Sequence, residues 1–223
     1  MRILLRVAGI FFLLCPALFC TTLKEMYDLA GPGSGYDKFI ELQPGGVYSG
    51  GLYIGLTFNR ITAEFEGTEE YDVRIKGNGA VLDLQGGEIC ISYCENRLDI
   101  DDCVVINGNI RYRGISGSSI NAKPIGYVKY VTFYKPHDYG VRIYGCGDDI
   151  VVLRNLFVDA MDTGPDFQYL SGASLDWLPT GANVAFSGLG YGFPLVMDNW
   201  SFHGDPAANA DLLRHYSKIC EYG

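Results

Sequence analysis

Short stretches of alternating apolar and polar residues recur along the chain, and glycine, asparagine or aspartate separates them. Val73-Arg-Ile alternates before the turn residues Gly77-Asn-Gly, and Ala80-Val-Leu-Asp-Leu resumes the pattern. Similar stretches lie at residues 98–106 and 127–134. A period of two over a few residues, bounded by turn residues, predicts short β-strands. Long amphipathic helical patterns are scarce and glycine is abundant (29 residues), so we predict an all-β protein.

The sequence also repeats itself at long range. Asn109, Asn155 and Asn199 each begin a β-prone stretch, and they lie about 46 and about 44 residues apart, or two turns of roughly 22–23 residues each. The stretch Val73–Gly79 returns as Val141–Gly147 about 68 residues later, near three such turns. This period predicts a solenoid in which coils stack strand on strand. We interpret the three asparagines as corner residues whose amides form a hydrogen-bonded ladder, which is a structural role.

Three of these coils resemble a known family. The Gly-Asn-Gly-Ala-Val-Leu-Asp stretch at 77–83, with the coils at 100–109 and 148–155, is similar to the pectin-lyase-like right-handed parallel β-helix superfamily. The resemblance covers roughly residues 39–160 and implies an all-β, right-handed parallel β-helix (solenoid) with coils of about 22–23 residues. The superfamily holds lyases, hydrolases, epimerases and noncatalytic adhesins. It therefore implies a long polymeric ligand but no particular reaction.

The two ends of the chain suggest how it is organised. Arg2 and Arg6 precede an apolar stretch at residues 7–14, which Pro16 breaks, so we predict a signal peptide over residues 1–22. This stretch is short for a bilayer span, and we expect a secreted or cell-surface protein. The rest, residues 23–223, is predicted to form one β-helix domain. Residues 212–220 are apolar enough to form another strand or a short helix. Either residues 207–219 form a short helical cap over the last coil, or the chain is a fragment of a longer one.

The charge limits the partners of the protein. A formal net charge of −9 argues against nucleic acid and anionic membranes, because both need a basic surface. It also disfavours an anionic polysaccharide, unless cations or a local basic patch intervene. We expect a monomer that binds an extended polysaccharide.

Five cysteines follow the predicted signal peptide, at positions 90, 94, 103, 146 and 220. In an exported chain they could form two bridges with one thiol left over, or stack inside the coils as small apolar residues. A zinc site is disfavoured because the sequence has no Cys-x-x-Cys pair and its three histidines are dispersed.

The segment from Lys135 to Arg142 is a candidate acid–base site. In uronate lyases a base removes the C5 proton while a cation neutralises the carboxylate. We predict that Arg142 or His137 removes the proton and that Tyr139 returns one to the leaving oxygen. Lys135 and Asp138 are predicted to contact the substrate. The alternative interpretation is a solvated loop with an ordinary surface arginine.

A second acidic segment is a candidate cation site. Asp159, Asp162 and Asp166 surround a Gly-Pro turn and could supply the oxygen ligands that Ca²⁺ requires. Because they follow Asn155, we expect them about one coil above residues 135–142. The alternative is that these aspartates cap turns in the backbone.

Asp148 and Asp149 form a third candidate, also predicted to contact the substrate. They resemble the Gly-Asp-Asp of β-helical polygalacturonases, where paired carboxylates serve an inverting hydrolysis. The match is partial, because the Asn-Thr-Asp signature of that family is absent upstream. The alternative is a pair of turn residues before the next strand.

Three functions follow from these candidates. The first is a secreted lyase that cleaves a uronic-acid polysaccharide by β-elimination with the help of Ca²⁺. The second is a noncatalytic glycan-binding or structural surface protein, which the absence of a complete catalytic signature supports. The third is an inverting hydrolase that uses Asp148 and Asp149.

Overall fold

In the computed structural model, the structure describes residues 21–59, 64–67, 70–116, 121–136, 139–158, 167–170, 184–187, 194–202 and 213–216. These residues form one helix, α1 (Leu23–Leu29), and 21 strands. The strands in chain order are β1 Thr21–Thr22, β2 Lys38–Glu41, β3 Val47–Ser49, β4 Leu52–Asn59, β5 Glu64–Gly67, β6 Val73–Asp83, β7 Glu88–Ser92, β8 Arg97–Ile106, β9 Asn109–Arg113, β10 Ile115–Ser116, β11 Asn121–Ala122, β12 Ile125–Lys129, β13 Thr132–Tyr134, β14 Val141–Tyr144, β15 Ile150–Leu153, β16 Leu156–Val158, β17 Phe167–Leu170, β18 Val184–Ser187, β19 Leu195–Met197, β20 Asn199–Phe202 and β21 Leu213–Tyr216.

Parallel pairing joins most of these strands into three ladders. The first ladder consists of β2, the first halves of β6 and β8, β12, β15 and β19. The second consists of β1, β3, the second halves of β6 and β8, β13, β16 and β20. The third consists of β4, β7, β9, β14, β18 and β17. The chain visits the first, second and third ladder in turn, so each pass adds a strand to each ladder it reaches.

Alternation along each strand fills a common core. In β6, Ile75 and Leu82 are fully buried, while their neighbours on the strand are partly exposed. Parallel pairing in register then places equivalent inward residues on top of one another from turn to turn. The rings of Phe133 and Phe157 show this directly, because they stack with centroids 4.8 Å apart and planes 4° from parallel. The all-β prediction with mostly parallel sheets is confirmed.

The strand register shows spacings on both sides of the predicted period of 22–23 residues. Val81 pairs with Val104 after 23 residues and Ile89 with Ile110 after 21. In the first ladder the spacings are longer: Val73 pairs with Leu98 after 25 residues, Leu98 with Gly126 after 28 and Gly126 with Ile150 after 24. The hairpin β10–β11 is inserted into the longest of these three. The sequence echo is also out of register, since Val73 lies in the first ladder and Val141 in the third.

Asn155 and Asn199 form the predicted amide ladder. The backbone N–H and the Nδ2 of Asn155 both donate to the Oδ1 of Asn199, at 3.0 and 2.9 Å, so a single turn separates these residues. The prediction is wrong for Asn109, which lies in the third ladder. The left-handed corner residues are Arg154 (φ 56°) and Asp198 (φ 52°), and each directly precedes an asparagine whose amide points inward.

The helix packs against the first strands of the ladders. Thr22 caps α1 by accepting from the Glu25 N–H, and the Glu25 carboxylate accepts from the Thr22 N–H in return. Leu23 and Tyr27 of α1 are buried in the core. Thr21 and Thr22 also form β1, so the folded structure includes two residues that the sequence assigns to the leader. Within the described part of the chain, no helix has the length and hydropathy needed to cross a bilayer.

The later part of the chain takes one of the two predicted forms of secondary structure. Residues 213–216 form β21, which pairs antiparallel with β20, so this part of the segment is the strand and not the short helix that the sequence also allows. Four of the five cysteines are buried free thiols, as the packing alternative predicts: Cys90, Cys94, Cys103 and Cys146. Cys220 lies outside the described residues.

Candidate functional site

The outward side chains of the first ladder form two polar rows. Arg74, Asp99 and Tyr127 are paired across adjacent strands in one row. Two residues further along each strand, Lys76, Asp101 and Lys129 are paired in the second row. Each row crosses β6, β8 and β12 because alternation turns every second side chain of these strands outward. Three adjacent parallel strands therefore bring together charged groups that lie 25 or more residues apart in sequence.

Asp101 is the centre of one hydrogen-bond network. Its Oδ2 accepts from Arg74 Nη2 at 2.8 Å and from the Tyr127 hydroxyl at 2.8 Å. Both side chains of the ion pair are partly exposed, at 28% for Arg74 and 14% for Asp101. Arg74 also lies over the rings of Tyr36 and Phe39, with centroid distances of 6.0 and 5.9 Å. The guanidinium is therefore held in place from two sides.

Asp99, two residues before Asp101 on β8, is the centre of a second hydrogen-bond network. It is 1% exposed, accepts from the Tyr36 hydroxyl, and accepts from the Tyr127 N–H at 2.9 Å. Burial raises the pKa of Asp99, while the hydrogen bond from Tyr36 lowers it. Gly126 permits this close approach, because a Cβ there would lie 2.0 Å from the Leu98 carbonyl oxygen. Asp99 thus fixes the N-terminal loop and β12 to the same point.

These networks border an open groove of about 500 Å³. Its lining comprises Arg74, Asp101, Asp102, Tyr127, Lys129 and Tyr130. Asp102 and Tyr130 both adopt left-handed backbone conformations, with φ of 55° and 57°, at the corner between the first and second ladders. Tyr130 is 53% exposed, and the Lys129 ammonium lies 4.2 Å from the centroid of the Tyr127 ring. The groove therefore combines two carboxylates, two cations and two phenol rings.

The phenol groups of Tyr127 and Tyr36 remain hydrogen-bond donors at neutral pH. Burial, together with the hydrogen bond to Asp101, raises the pKa of Tyr127 above its usual value. Burial and the hydrogen bond to Asp99 likewise raise the pKa of Tyr36. A carboxylate acceptor stabilises the protonated phenol and opposes its ionisation. The groove can therefore donate hydrogen bonds from the phenol and ammonium groups and accept them at its carboxylates.

The residues predicted from segment 135–142 lie elsewhere. Arg142 is on the third ladder, paired in register with Arg111, and is 7% exposed. Its guanidinium lies 5.2 Å from the centroid of the Tyr139 ring, and Tyr139 is 2% exposed. The predicted proximity of Arg142 and Tyr139 is present, but neither side chain is open to a polymer in this structure. Their catalytic roles stay predictions.

The remaining predicted residues are scattered or outside the described residues. Lys135 is exposed, has a left-handed backbone (φ 48°) and lies over the Tyr134 ring. Asp148 and Asp149 are exposed turn residues before β15. Lys123 lies 3.8 Å from Asp148. His137, Asp138, Asp159, Asp162 and Asp166 all lie outside the described residues.

The predicted cation site follows β16 directly. Val158, the last described residue before Asp159, pairs with Tyr134, while the three aspartates themselves lie outside the described residues. Among the residues that the structure does describe, no group of three or more His, Cys, Asp or Glu side chains is arranged to hold a metal ion. The calcium prediction stays a prediction.

The sequence interpretation missed the groove. Its signal is the alternation within Val73-Arg-Ile-Lys, Leu98-Asp-Ile-Asp and Tyr127-Val-Lys, where each strand carries polar residues two positions apart. Aligning these three strands at their true register would have placed Arg74 beside Asp99, and Asp101 beside Lys129. Comparison of the chain with protein-family models, with curated proteins and with solved structures found no match.

Proposed function

We propose that this chain is an exported, right-handed parallel β-helix of the pectin-lyase-like type that binds an extended polysaccharide along the exterior of its first ladder. The three parallel ladders support this fold, because the chain visits them cyclically and stacks a new turn each time. The N-terminal pattern of Arg2, Arg6 and the apolar residues 7–14 supports export. A stack of coils presents a long surface, which suits a polymer better than a small metabolite.

The groove beside Asp101 is the observation that carries the proposal. Sugars present many hydroxyl groups, which donate to carboxylates and accept from ammonium and phenol groups. They also present apolar ring faces that pack on exposed aromatic rings. Asp102 and Lys129 supply the polar contacts, and the exposed Tyr130 supplies the aromatic surface. These are the components of a site that orients a polar ligand with a few well-placed groups.

The test is a binding titration of the protein with pectate, alginate and neutral glycans by calorimetry. Tyr130→Ala should weaken binding roughly two- to tenfold, since an aromatic contact contributes about 0.5–1.5 kcal/mol beyond its area. Tyr53→Ala is the matched control, because Tyr53 is 58% exposed but lies on the third ladder. Equal binding by both variants, or no binding of any glycan by the folded protein, contradicts the proposal.

Cleavage of a uronic-acid polysaccharide by β-elimination is the second candidate function. The groove holds two cations, Arg74 and Lys129, that could neutralise a uronate carboxylate, and the Tyr127 phenol could return a proton to the leaving oxygen. The predicted base Arg142 is buried on the third ladder and does not line this groove, so in this function another group at the groove would remove the proton. Absorbance of unsaturated uronate that appears with Ca²⁺ and disappears with a chelator supports this function. Binding without such absorbance leaves only the binding function.

A further inference from the structure

Four successive turns each place one residue at the corner between the first and second ladders. The residues paired in register just before this corner are Asp101, Lys129, Leu153 and Met197. The residue after each of them has a left-handed backbone conformation, and these four are Asp102 (φ 55°), Tyr130 (φ 57°), Arg154 (φ 56°) and Asp198 (φ 52°). Neighbours among them are separated by about 4.8 Å, the spacing of paired strands. We call these four residues the corner row.

Arg154 holds the side chain of Tyr130 within the corner row. Its Nη1 donates to the Tyr130 hydroxyl oxygen at 3.1 Å, and its Cζ lies 6.0 Å from the centroid of the Tyr130 ring. Arg154 Nε in turn lies 3.8 Å from Asp198 Oδ2. Each of these three side chains therefore contacts the next one along the row, and Tyr130 lines the groove of the proposed glycan site.

This contact restrains a ring that is otherwise open to solvent. Tyr130 is 53% exposed, and within the described part of the chain its hydroxyl has one hydrogen bond, the one from Arg154. An exposed side chain that becomes immobilised when a ligand binds loses conformational freedom, and this loss lowers affinity. A ring that is already held before the ligand arrives loses less freedom on binding.

We propose that Arg154 is a positioning residue of the glycan site, which orients the Tyr130 ring without contacting the ligand itself. This inference rests on the proposed function, because it concerns the ring on which the glycan packs. Two nitrogen atoms of Arg154, Nη1 and Nε, already have partners within the corner row. Exposed ion pairs of this kind contribute little to folding, so removing Arg154 should change glycan affinity and leave stability nearly the same.

A double-mutant cycle, measured by calorimetric titration with pectate, alginate and neutral glycans, tests the proposal. Arg154→Met removes the donor and keeps an unbranched side chain, while Tyr130→Phe removes the acceptor and keeps the ring. Each should weaken binding by about two- to tenfold, the effect of restraining one side chain. The double variant should bind no more weakly than Tyr130→Phe, because both changes remove the same hydrogen bond. Arg154→Lys keeps a donor and should restore part of the affinity lost in Arg154→Met.

Lys24→Met is the matched control for the loss of one positive charge. The Lys24 side chain is 59% exposed, forms an ion pair with Asp28 and lies 5.7 Å from the centroid of the Tyr27 ring, but it belongs to α1 and not to the groove. Its replacement should leave glycan affinity unchanged. Thermal unfolding followed by circular dichroism should give nearly the same midpoint for every variant.

The remaining outcomes separate this inference from the proposed function. Unchanged affinity in Arg154→Met overturns the inference and leaves glycan binding in place. A further loss when Arg154→Met is added to Tyr130→Phe also overturns it, because Arg154 would then contact the glycan directly. An equal loss in Lys24→Met overturns it as well, since charge and not the position of the ring would then govern binding. Absence of binding to every glycan by the folded, unchanged chain contradicts the proposed function itself, and the inference with it.

Discussion

Replacing Asn155 with alanine should strongly destabilise the protein. Its amide makes three hydrogen bonds inside the corner: Oδ1 accepts from the Val131 N–H at 2.9 Å, and Nδ2 donates to the Val128 carbonyl at 3.0 Å and to Asn199 Oδ1 at 2.9 Å. Asn155 is 1% exposed, so water cannot replace these partners without opening the corner.

The expected loss of stability follows from what happens to each of these hydrogen bonds. Three lost hydrogen bonds contribute about 1 kcal/mol each, and a buried N–H left without its acceptor costs about 1–3 kcal/mol more. We therefore expect Asn155→Ala to lower the free energy of unfolding by about 4–6 kcal/mol. Asn96→Ala is the control, because the Asn96 amide makes one part-buried hydrogen bond of 3.5 Å to Asp72, and its loss should lower stability by less than about 1 kcal/mol.

Urea unfolding followed by circular dichroism measures both variants, and hydrogen exchange locates the effect. The exchange rate of the Val131 amide should rise in Asn155→Ala and stay the same in Asn96→Ala, because the acceptor of this amide is lost only in the first variant. A loss of stability below about 1 kcal/mol, together with an unchanged exchange rate of the Val131 amide, would refute the stabilisation that we assign to the amide ladder.

Two further predictions concern buried titratable groups. Burial raises the pKa of Asp99, so its contribution to stability is fully present below its unfolded pKa near 3.8 and is lost as pH rises through the higher folded pKa. Asp99→Asn should therefore be more destabilising relative to the unchanged protein at pH 4 than at pH 7, and an equal difference at both pH values in urea unfolding would contradict this. Burial also raises the pKa of Cys90 to about 12 and of Cys94 to about 11, so a thiol reagent at pH 8 should label these residues only after unfolding. Rapid labelling of either thiol in the native protein, read by mass spectrometry of peptides, would show that the cores of these turns open.

The class of fold could be predicted from the sequence because its signals are local. Alternation within a few residues decides which side chains face the core, and the turn residues between strands are visible without knowing what each strand pairs with. Ile75 is buried between Arg74 and Lys76, and Leu82 between Val81 and Asp83, as alternation within each half of β6 predicts. The spacing between paired strands was harder to predict, because insertions change the length of the chain between two strands without disturbing the strands themselves. Asn155 and Asn199 lie in register although 44 residues separate them, nearly twice the length of the turn from Gly126 to Ile150.

The groove could not be predicted for the same reason. The Arg74–Asp101 pair spans 27 residues, the Asp99–Tyr127 bond 28, and the Tyr36–Asp99 bond 63. Each contact depends on the register between turns, which motif matching within one segment does not supply. The segment around Arg142 contains more of the residue types used in catalysis, but residue type does not determine accessibility. Arg142 is outward in the alternation of β14 and is nevertheless buried.

The three exteriors of the ladders therefore differ in the kind of contact that they can make. The third carries charge, but its ion pair of Arg111 and Glu88 is largely covered, with side-chain exposures of 22% and 11%. Each group of this covered pair already has a charged partner, so the pair offers little to a ligand. The first ladder keeps its charges at the edge of an open groove, where Asp102 and Tyr130 remain accessible. The outward side chains of the second ladder are mostly apolar, among them Val47 and Trp200, so it differs from the first ladder with its open polar groove. Under the proposed function, Val81→Lys on the second ladder should therefore leave glycan affinity unchanged, while Tyr130→Ala on the first should lower it.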